Sequence, residues 1–288
     1  MRAVYKKELK QYFTSMTGFI FLALFIVLVG LYTWAYNMGS GVGNFEKTLG
    51  RIRLLFLFII PVITMRIMAE ERHQKTDQLL LTSPVPVWKI VSGKYFAVDS
   101  LFLIGMAEVS TYPIILWCFN HDVRLSTAYS AVIGFFLMGS AYIAMGMFIS
   151  SLTESQVIAA IVTFLAVILS YLMPSLTQAL PADGKNSVLI IAILAALIVV
   201  LTYGSMKNII VSGIFLIAAE AIIWILYAID PSMYDSLLSV ILNTLSISDR
   251  FNDFTLGILK ISSVIYYLSV IFIFNFLTIQ MTERKKYQ

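Results

Sequence analysis

Eight continuous apolar runs, at about 18–36, 54–69, 95–119, 129–150, 156–174, 188–203, 208–229 and 256–280, constrain this chain more than any other feature. Most are long enough to cross the roughly 30 Å hydrocarbon layer of a bilayer as a helix rising about 1.5 Å per residue. Strands of a membrane barrel would alternate apolar and polar residues, and these runs do not. Helices are the other way to satisfy every backbone N–H and C=O in lipid. Composition agrees: the chain is 59% hydrophobic and 12% charged, where a soluble domain is about half apolar and about a quarter charged. The expected fold class is therefore all-α, a polytopic membrane helix bundle of about eight spans. The second and sixth runs are short, so each is expected to continue as helix into a flank or to sit tilted.

Basic residues set the expected orientation. Thirteen of the 20 Lys and Arg fall on one side if the N-terminus is inside, which puts both termini in the cytoplasm. The first run follows Arg2, Lys6, Lys7 and Lys10 and ends in Trp34-Ala35-Tyr36. It is longer than a secretory signal core and many spans follow it, so it reads as an uncleaved anchor. Ahead of it, Val4, Tyr5, Leu9, Tyr12, Phe13 and Met16 recur at helical spacing opposite the basic residues. That pattern predicts an amphipathic helix over 1–16 lying along the inner interface of the bilayer. Outside, Asn44 to Arg53 reads as a short polar segment. Residues 230–255 carry the stripe Leu237, Leu238, Ile241, Leu242 and Leu245 among Ser, Thr and Asn, too polar to span and too regular for a loop. An interfacial or re-entrant helix on the outer side is expected there.

Residue types that carry catalysis are missing from the places where they would be needed. Neither Gly93-Lys94 nor Gly184-Lys185 has the upstream glycine and following Ser or Thr of a phosphate-cradling GxxxxGK[ST] loop. His73 and His121 fall on opposite sides of the expected topology, so neither a catalytic site nor a metal site is expected. The single cysteine, Cys118, leaves no internal disulfide, and the net charge of +4 is a matter of loop placement rather than of nucleic-acid binding. Asp99, Glu108 and Glu220 lie in or near spans. A charge near mid-membrane costs roughly 2.5–3.5 kcal/mol on insertion scales, so such a group faces a cavity, finds a partner or takes a proton. Asp99 is near a span end and reads as a snorkelling or capping acid, whereas Glu108 and Glu220 are the candidate cavity residues. Pro61 and Pro113 fall inside spans and are expected to kink them.

The stretch 61–94 is different in kind. An apolar span runs into Glu70-Glu71-Arg72, then Leu79-Leu80-Leu81, then Thr82-Ser83-Pro84, and the next span soon follows. Glu70, Glu71 and Arg72 can pair with charges on a soluble partner, and Leu79-Leu80 can supply a buried apolar anchor. On that reading, reversing Glu70 and Glu71 abolishes whatever activity depends on the partner and leaves membrane insertion intact.

These residues carry a resemblance. Met65, Arg66, Glu70, Glu71, Arg72, Thr76, Leu79, Leu80, Thr82, Ser83, Pro84, Trp88, Gly93 and Lys94 are similar to the pattern of type-2 ABC transporter permeases, in particular the gliding-motility and copper-enzyme-maturation branch. A second match runs from Ser248, Arg250, Phe251, Asp253 and Phe254 through Gly257, Tyr266 and Tyr267 to the basic C-terminal tail. The family's glycine before the threonine is Lys75 here, and the acid usual before the Leu-Leu is Gln78. The resemblance implies one transmembrane domain over 1–288, with the family's six-span core and an extra hairpin at 188–229. It makes 70–84 a cytoplasmic coupling helix fitting a cleft in a separate ATPase, with Glu70, Glu71, Arg72, Thr76, Leu79, Leu80 and Pro84 as its coupling residues. ATP and Mg are then bound by cytoplasmic ABC ATPase subunits, and a second copy or related permease completes an exporter in the bacterial plasma membrane. Two other readings stay open: an ion-gradient carrier using Glu108 and Glu220, and a membrane anchor for an extracytoplasmic assembly or accessory protein through 188–255.

Overall fold

A computed structural model describes residues 1–76, 85–119, 123–179 and 233–286, with isolated pairs at 187–188, 191–192, 220–221, 223–224 and 227–228. The described residues are helical without strands, and six helical stretches are long and apolar enough to cross a membrane: Met16–Met38, Phe45–His73, Val87–Phe119, Leu125–Leu152, Gln156–Gln178 and Ile261–Arg284. They correspond to six of the eight apolar runs. The other two, the expected hairpin at 188–229, lie almost wholly outside the described residues. Two compact units emerge, one of Met1–Tyr171 with Ile247–Gln288 and one of Leu172–Ser246.

In the larger unit the chain opens with α1 (Arg2–Thr14), then Ser15 in extended conformation, then α2 (Met16–Thr33). Gly18 allows the corner, because a Cβ there would lie 2.2 Å from the Tyr12 carbonyl oxygen. Helix α2 is apolar all round. It turns Gly18, Phe21, Phe25, Val29 and Thr33 inward at a spacing of three or four residues and leaves Phe19, Leu24 and Leu31 exposed. The second span is built from α3 (Phe45–Ile52), a 3₁₀ turn at Arg53–Leu55, α4 (Phe56–Thr64) and the short α5 (Ala69–His73). The second apolar run does continue into a flank, as its length required. The expected polar segment 44–53 is corrected: its Phe45, Leu49 and Ile52 follow a helical period and are fully buried, while Glu46, Lys47 and Arg51 keep the local composition polar.

The third span joins α6 (Val87–Val109) to α7 (Tyr112–Phe119) across a break at Ser110-Thr111. Pro113 therefore does not kink a continuous helix. It sits in the first turn of α7, where a missing N–H costs nothing. Helix α8 (Leu125–Leu152) is the most buried span and packs against α3, α4, α5, α6 and α7. Its glycines make this close contact feasible: a Cβ on Gly139 would lie 2.4 Å from the Phe102 ring, and one on Gly146 2.4 Å from Thr64 Oγ1. Lipid offers no hydrophobic drive between apolar helices, so close van der Waals packing of this kind holds them together. Phe25, Phe102, Phe56, Phe135 and Phe251 form a run of ring contacts with centroids 4.5–5.9 Å apart.

Helix α9 (Gln156–Ala179) follows, and after the less described region come α10 (Met233–Leu245), α11 (Phe251–Thr255) and α12 (Ile261–Lys286). The stripe expected over 230–255 divides. Its N-terminal part is α10, in the smaller unit, with Leu242 buried and Leu245 exposed. Residues 247–255 belong instead to the larger unit, where Ile247, Phe251 and Phe254 are buried. There the Ile247 N–H donates to Ser170 Oγ (3.0 Å), the Tyr267 hydroxyl donates to the Ile247 carbonyl (3.1 Å), and Arg53 donates to Asn252 Oδ1 (3.0 Å). At the foot of α12, Lys260 pairs with Asp253 at 2.7 Å and Ser263 donates to it at 2.8 Å.

Candidate functional site

The second span breaks at Met65–Met68 before α5, and such a break leaves backbone groups without helical partners. One side chain from another helix satisfies most of them. Ser150, near the end of α8, accepts from the N–H groups of Met68 (3.2 Å) and Ala69 (3.1 Å) and donates to the Met65 carbonyl (3.1 Å). The neighbouring Ile67 carbonyl accepts from Lys94 Nζ at 3.0 Å. The break is thus a fixed elbow, capped across space rather than by its own sequence.

Lys94, on α6, is 1% exposed. A buried ammonium is tolerated only if its three protons find acceptors and its charge finds a counter-charge. Here the acceptors are the Ile67 carbonyl, Glu71 at 2.9 Å and Glu8 at 3.3 Å. Glu8 comes from α1 and is 7% exposed. Lys7 lies on the open side, 3.5 Å from Glu71 and 3.6 Å from Glu8, so two acids meet two cations. Close approach of α1 to α6 is set by Gly93, where a Cβ would touch Val4 at 3.2 Å, and by a 3.0 Å hydrogen bond between Tyr5 and Ser100.

The rest of α5 is held as firmly. Arg66 grips Glu70 through two hydrogen bonds of 2.6 and 2.7 Å. Arg72 is 8% exposed and donates to the Ser151 carbonyl. At its end the helix turns through Lys75, whose φ of +57° is left-handed, and Thr76 Oγ1 donates to the Glu71 carbonyl at 3.3 Å. This is the conformation a glycine adopts without strain. Between α1 and α5 lies a cavity of about 270 Å³, lined among others by Lys7, Glu8, Tyr12, Arg66, Glu71 and Lys94. Burial first, and then the Glu8 charge, pushes the Tyr12 phenol well above its usual range.

Of the residues singled out from sequence, the structure brings together Glu70, Glu71, Arg72 and Thr76, but gives each an intramolecular partner. Leu79, Leu80 and Pro84 lie outside the described residues. Glu108 is exposed near the end of α6 and lines neither this cavity nor a second, apolar one of about 440 Å³ beside Asn37 and Leu116. Glu220 is half-buried in the smaller unit. Asp99, near the start of its span, is partly buried. It accepts a 2.6 Å hydrogen bond from Ser140 on α8. Sequence reasoning missed Glu8 and Ser150 altogether and gave Lys94 no structural role, although it stands among the residues that carry the resemblance. One signal was available: Glu8 is the lone acid in a helix bearing Arg2, Lys6, Lys7 and Lys10.

Among known families, the model described as ABC-2 family transporter protein matches residues 40–229. No curated protein matches, and no solved structure does.

Proposed function

The chain belongs to the ABC-2 family of transporter proteins, and on that premise we propose that it is the permease subunit of an ATP-driven exporter worked through α5 by a separate cytoplasmic ATPase. It is a multi-pass membrane component of an ABC transporter and is not itself catalytic. ATP and Mg are bound by the ATPase subunits, and a second permease, identical or related, completes the pathway in a bacterial plasma membrane with both termini cytoplasmic.

The observation that carries this reading is the clamping of α5. A segment that only filled a loop would be free to move by itself. Here Ser150 and the Ser151 carbonyl tie α5 to α8, Lys94 ties it to α6, and Lys7 ties it to α1, whose Glu8 meets the same Lys94. A force applied next to α5 is therefore passed to several spans together rather than absorbed at a hinge. The residues that follow, with Leu79 and Leu80, supply the docking surface.

Co-expression with the cognate ABC ATPase tests the proposal. Leu79→Asp with Leu80→Asp is expected to abolish co-purification and transport, while membrane insertion and the thermal unfolding midpoint stay as in the parent. Unchanged co-purification and transport in that variant would remove the coupling role from this segment.

A further inference from the structure

The first span ends in a widened turn. Its last residues, Trp34–Met38, form a π-helical turn, a rare form that is frequent at functional sites. The turn sends Asn37 inward, where it is buried. The Thr48 hydroxyl on α3 donates to Asn37 Oδ1 at 2.6 Å, and Asn37 Nδ2 donates to the Val42 carbonyl at 2.9 Å. The N–H groups of Val42 and Gly39 bond back to the carbonyls of Asn37 and Trp34. The loop after the span is thus held against α3 with these polar groups spent on one another. Met38 and Val42 stay exposed and, with Gly41 and Gly43, face Leu116 and Phe119 of α7 around the apolar cavity of about 440 Å³.

The depth of this cavity follows from the rings around it. Trp34, Tyr36 and Trp117 are exposed near the ends of the first and third spans, the end at which the second span begins, opposite α5. Exposed Trp and Tyr at span ends mark the level where headgroups meet acyl chains. A cation stands at that level. Arg51 of α3 lies over the Tyr36 ring, 4.2 Å from its centroid. Among the described residues no carboxylate is within ion-pair distance of it. Lys47, one turn earlier on the same helix, is exposed as well. The cavity has the size of a small-ligand site. A concave apolar surface that ends at a cation without a counter-charge complements an amphiphile with an anionic head, and a partner helix would leave that cation unmatched.

We propose that this cavity takes one acyl chain of an anionic phospholipid from the leaflet at that end of the bundle, with the lipid phosphate on Arg51. Lying over the Tyr36 ring, the guanidinium keeps its N–H edge open to phosphate oxygens. The chain lies between the loop after the first span and α7, so the lipid fills the gap between the ends of the first and third spans.

The test uses the full chain in detergent micelles without any ATPase, so its outcome is independent of the transporter reading. Trp88→Phe and Trp224→Phe leave Trp34 and Trp117 as the only tryptophans. Phosphatidylglycerol or phosphatidylcholine brominated along its acyl chains is titrated in, and short-range quenching of tryptophan fluorescence is the readout. One cation beside an anionic headgroup is worth about fivefold in affinity, so phosphatidylglycerol should half-saturate the quenching at about a fifth of the phosphatidylcholine concentration. High salt erodes that preference, Arg51→Gln removes it and Arg51→Lys keeps it. Val42→Phe with Gly43→Leu fills the cavity from a backbone that is not left-handed at Gly43. This variant should lose the saturable quenching by both lipids while its thermal unfolding midpoint stays as in the parent. Equal quenching by the two lipids in the parent, or full quenching in the filled variant, overturns the proposal. So does a parent that neither lipid quenches saturably and that self-associates until the cavity is filled, which gives this face to a second copy.

Discussion

Replacing Lys94 with methionine removes one charge and leaves the side chain's length almost unchanged, so it isolates the electrostatics of the cluster. Glu8 and Glu71 then face each other across a buried space with only the exposed Lys7 as counter-charge, and the Ile67 carbonyl loses its donor. Removing one partner from a buried ion pair costs about 3–5 kcal/mol, most of it the penalty of the charge left behind. If that is the origin of the loss, removing the stranded charges should return it. Lys94→Met combined with Glu8→Gln and Glu71→Gln is expected within about 1–2 kcal/mol of the parent, since a neutral, similarly shaped replacement of a buried ion cluster is often close to neutral. Denaturant titration of the purified chain in detergent micelles, followed by tryptophan fluorescence, gives both values and their coupling. A single variant that loses less than about 1 kcal/mol, or a triple variant no better than the single, would refute the idea that Lys94 holds α1, α5 and α6 together by charge.

Ser150→Ala strips the elbow of its cap, leaving buried N–H groups at Met68 and Ala69 and the Met65 carbonyl unpaired. The expected loss is about 1–3 kcal/mol in the same titration, with Ser150→Thr recovering part of it. Lys75→Gly relieves a left-handed backbone and should raise stability by roughly 1 kcal/mol, whereas Lys75→Val should lower it. Burial tends to raise the Asp253 carboxyl, but hydrogen bonds from Lys260 and Ser263 and the nearby cations outweigh it and hold the group below its ordinary value. A depressed carboxylate contributes stability above its unfolded pKa and loses it as pH falls through the folded one. Thermal unfolding midpoints should therefore drop on acidification through and below the ordinary carboxylate range, and Asp253→Asn should flatten that drop.

Hydropathy made the described spans legible because lipid imposes one requirement, a continuous apolar helix, and the chain meets it plainly. Helix α3 escaped because Phe45, Leu49 and Ile52 sit among Glu46, Lys47 and Arg51, so an average over the segment hides a fully buried apolar stripe. Pro113 was read by its position in a run, although the Ser110-Thr111 break makes it the start of a new helix. At the site, the charges after the second span were visible as a special feature, but their direction was not. Glu71 finds Lys94 from the next span and Lys7 from the first helix, Glu8 of that helix meets the same Lys94, and α5 is capped by Ser150 some eighty residues on. Partners so distant along the chain leave no periodic trace. One consequence changes an expectation: reversing Glu71 would place a cation against the buried Lys94, so the double reversal at Glu70 and Glu71 disturbs the fold as well as any docking, and Leu79 and Leu80 offer the cleaner probe.

A separate motor acting beside α5 can be caught in place. His73 and Gln74 are exposed at its end, next to the clamped acids. With Cys118→Ser as background, a cysteine placed by His73→Cys should cross-link to the co-expressed ABC ATPase in native membranes, with a yield that changes on adding ATP and Mg. If position 73 cross-links to no ATPase and is instead labelled by an impermeant thiol reagent added from outside intact cells, α5 lies on the outer side and no cytoplasmic motor acts there.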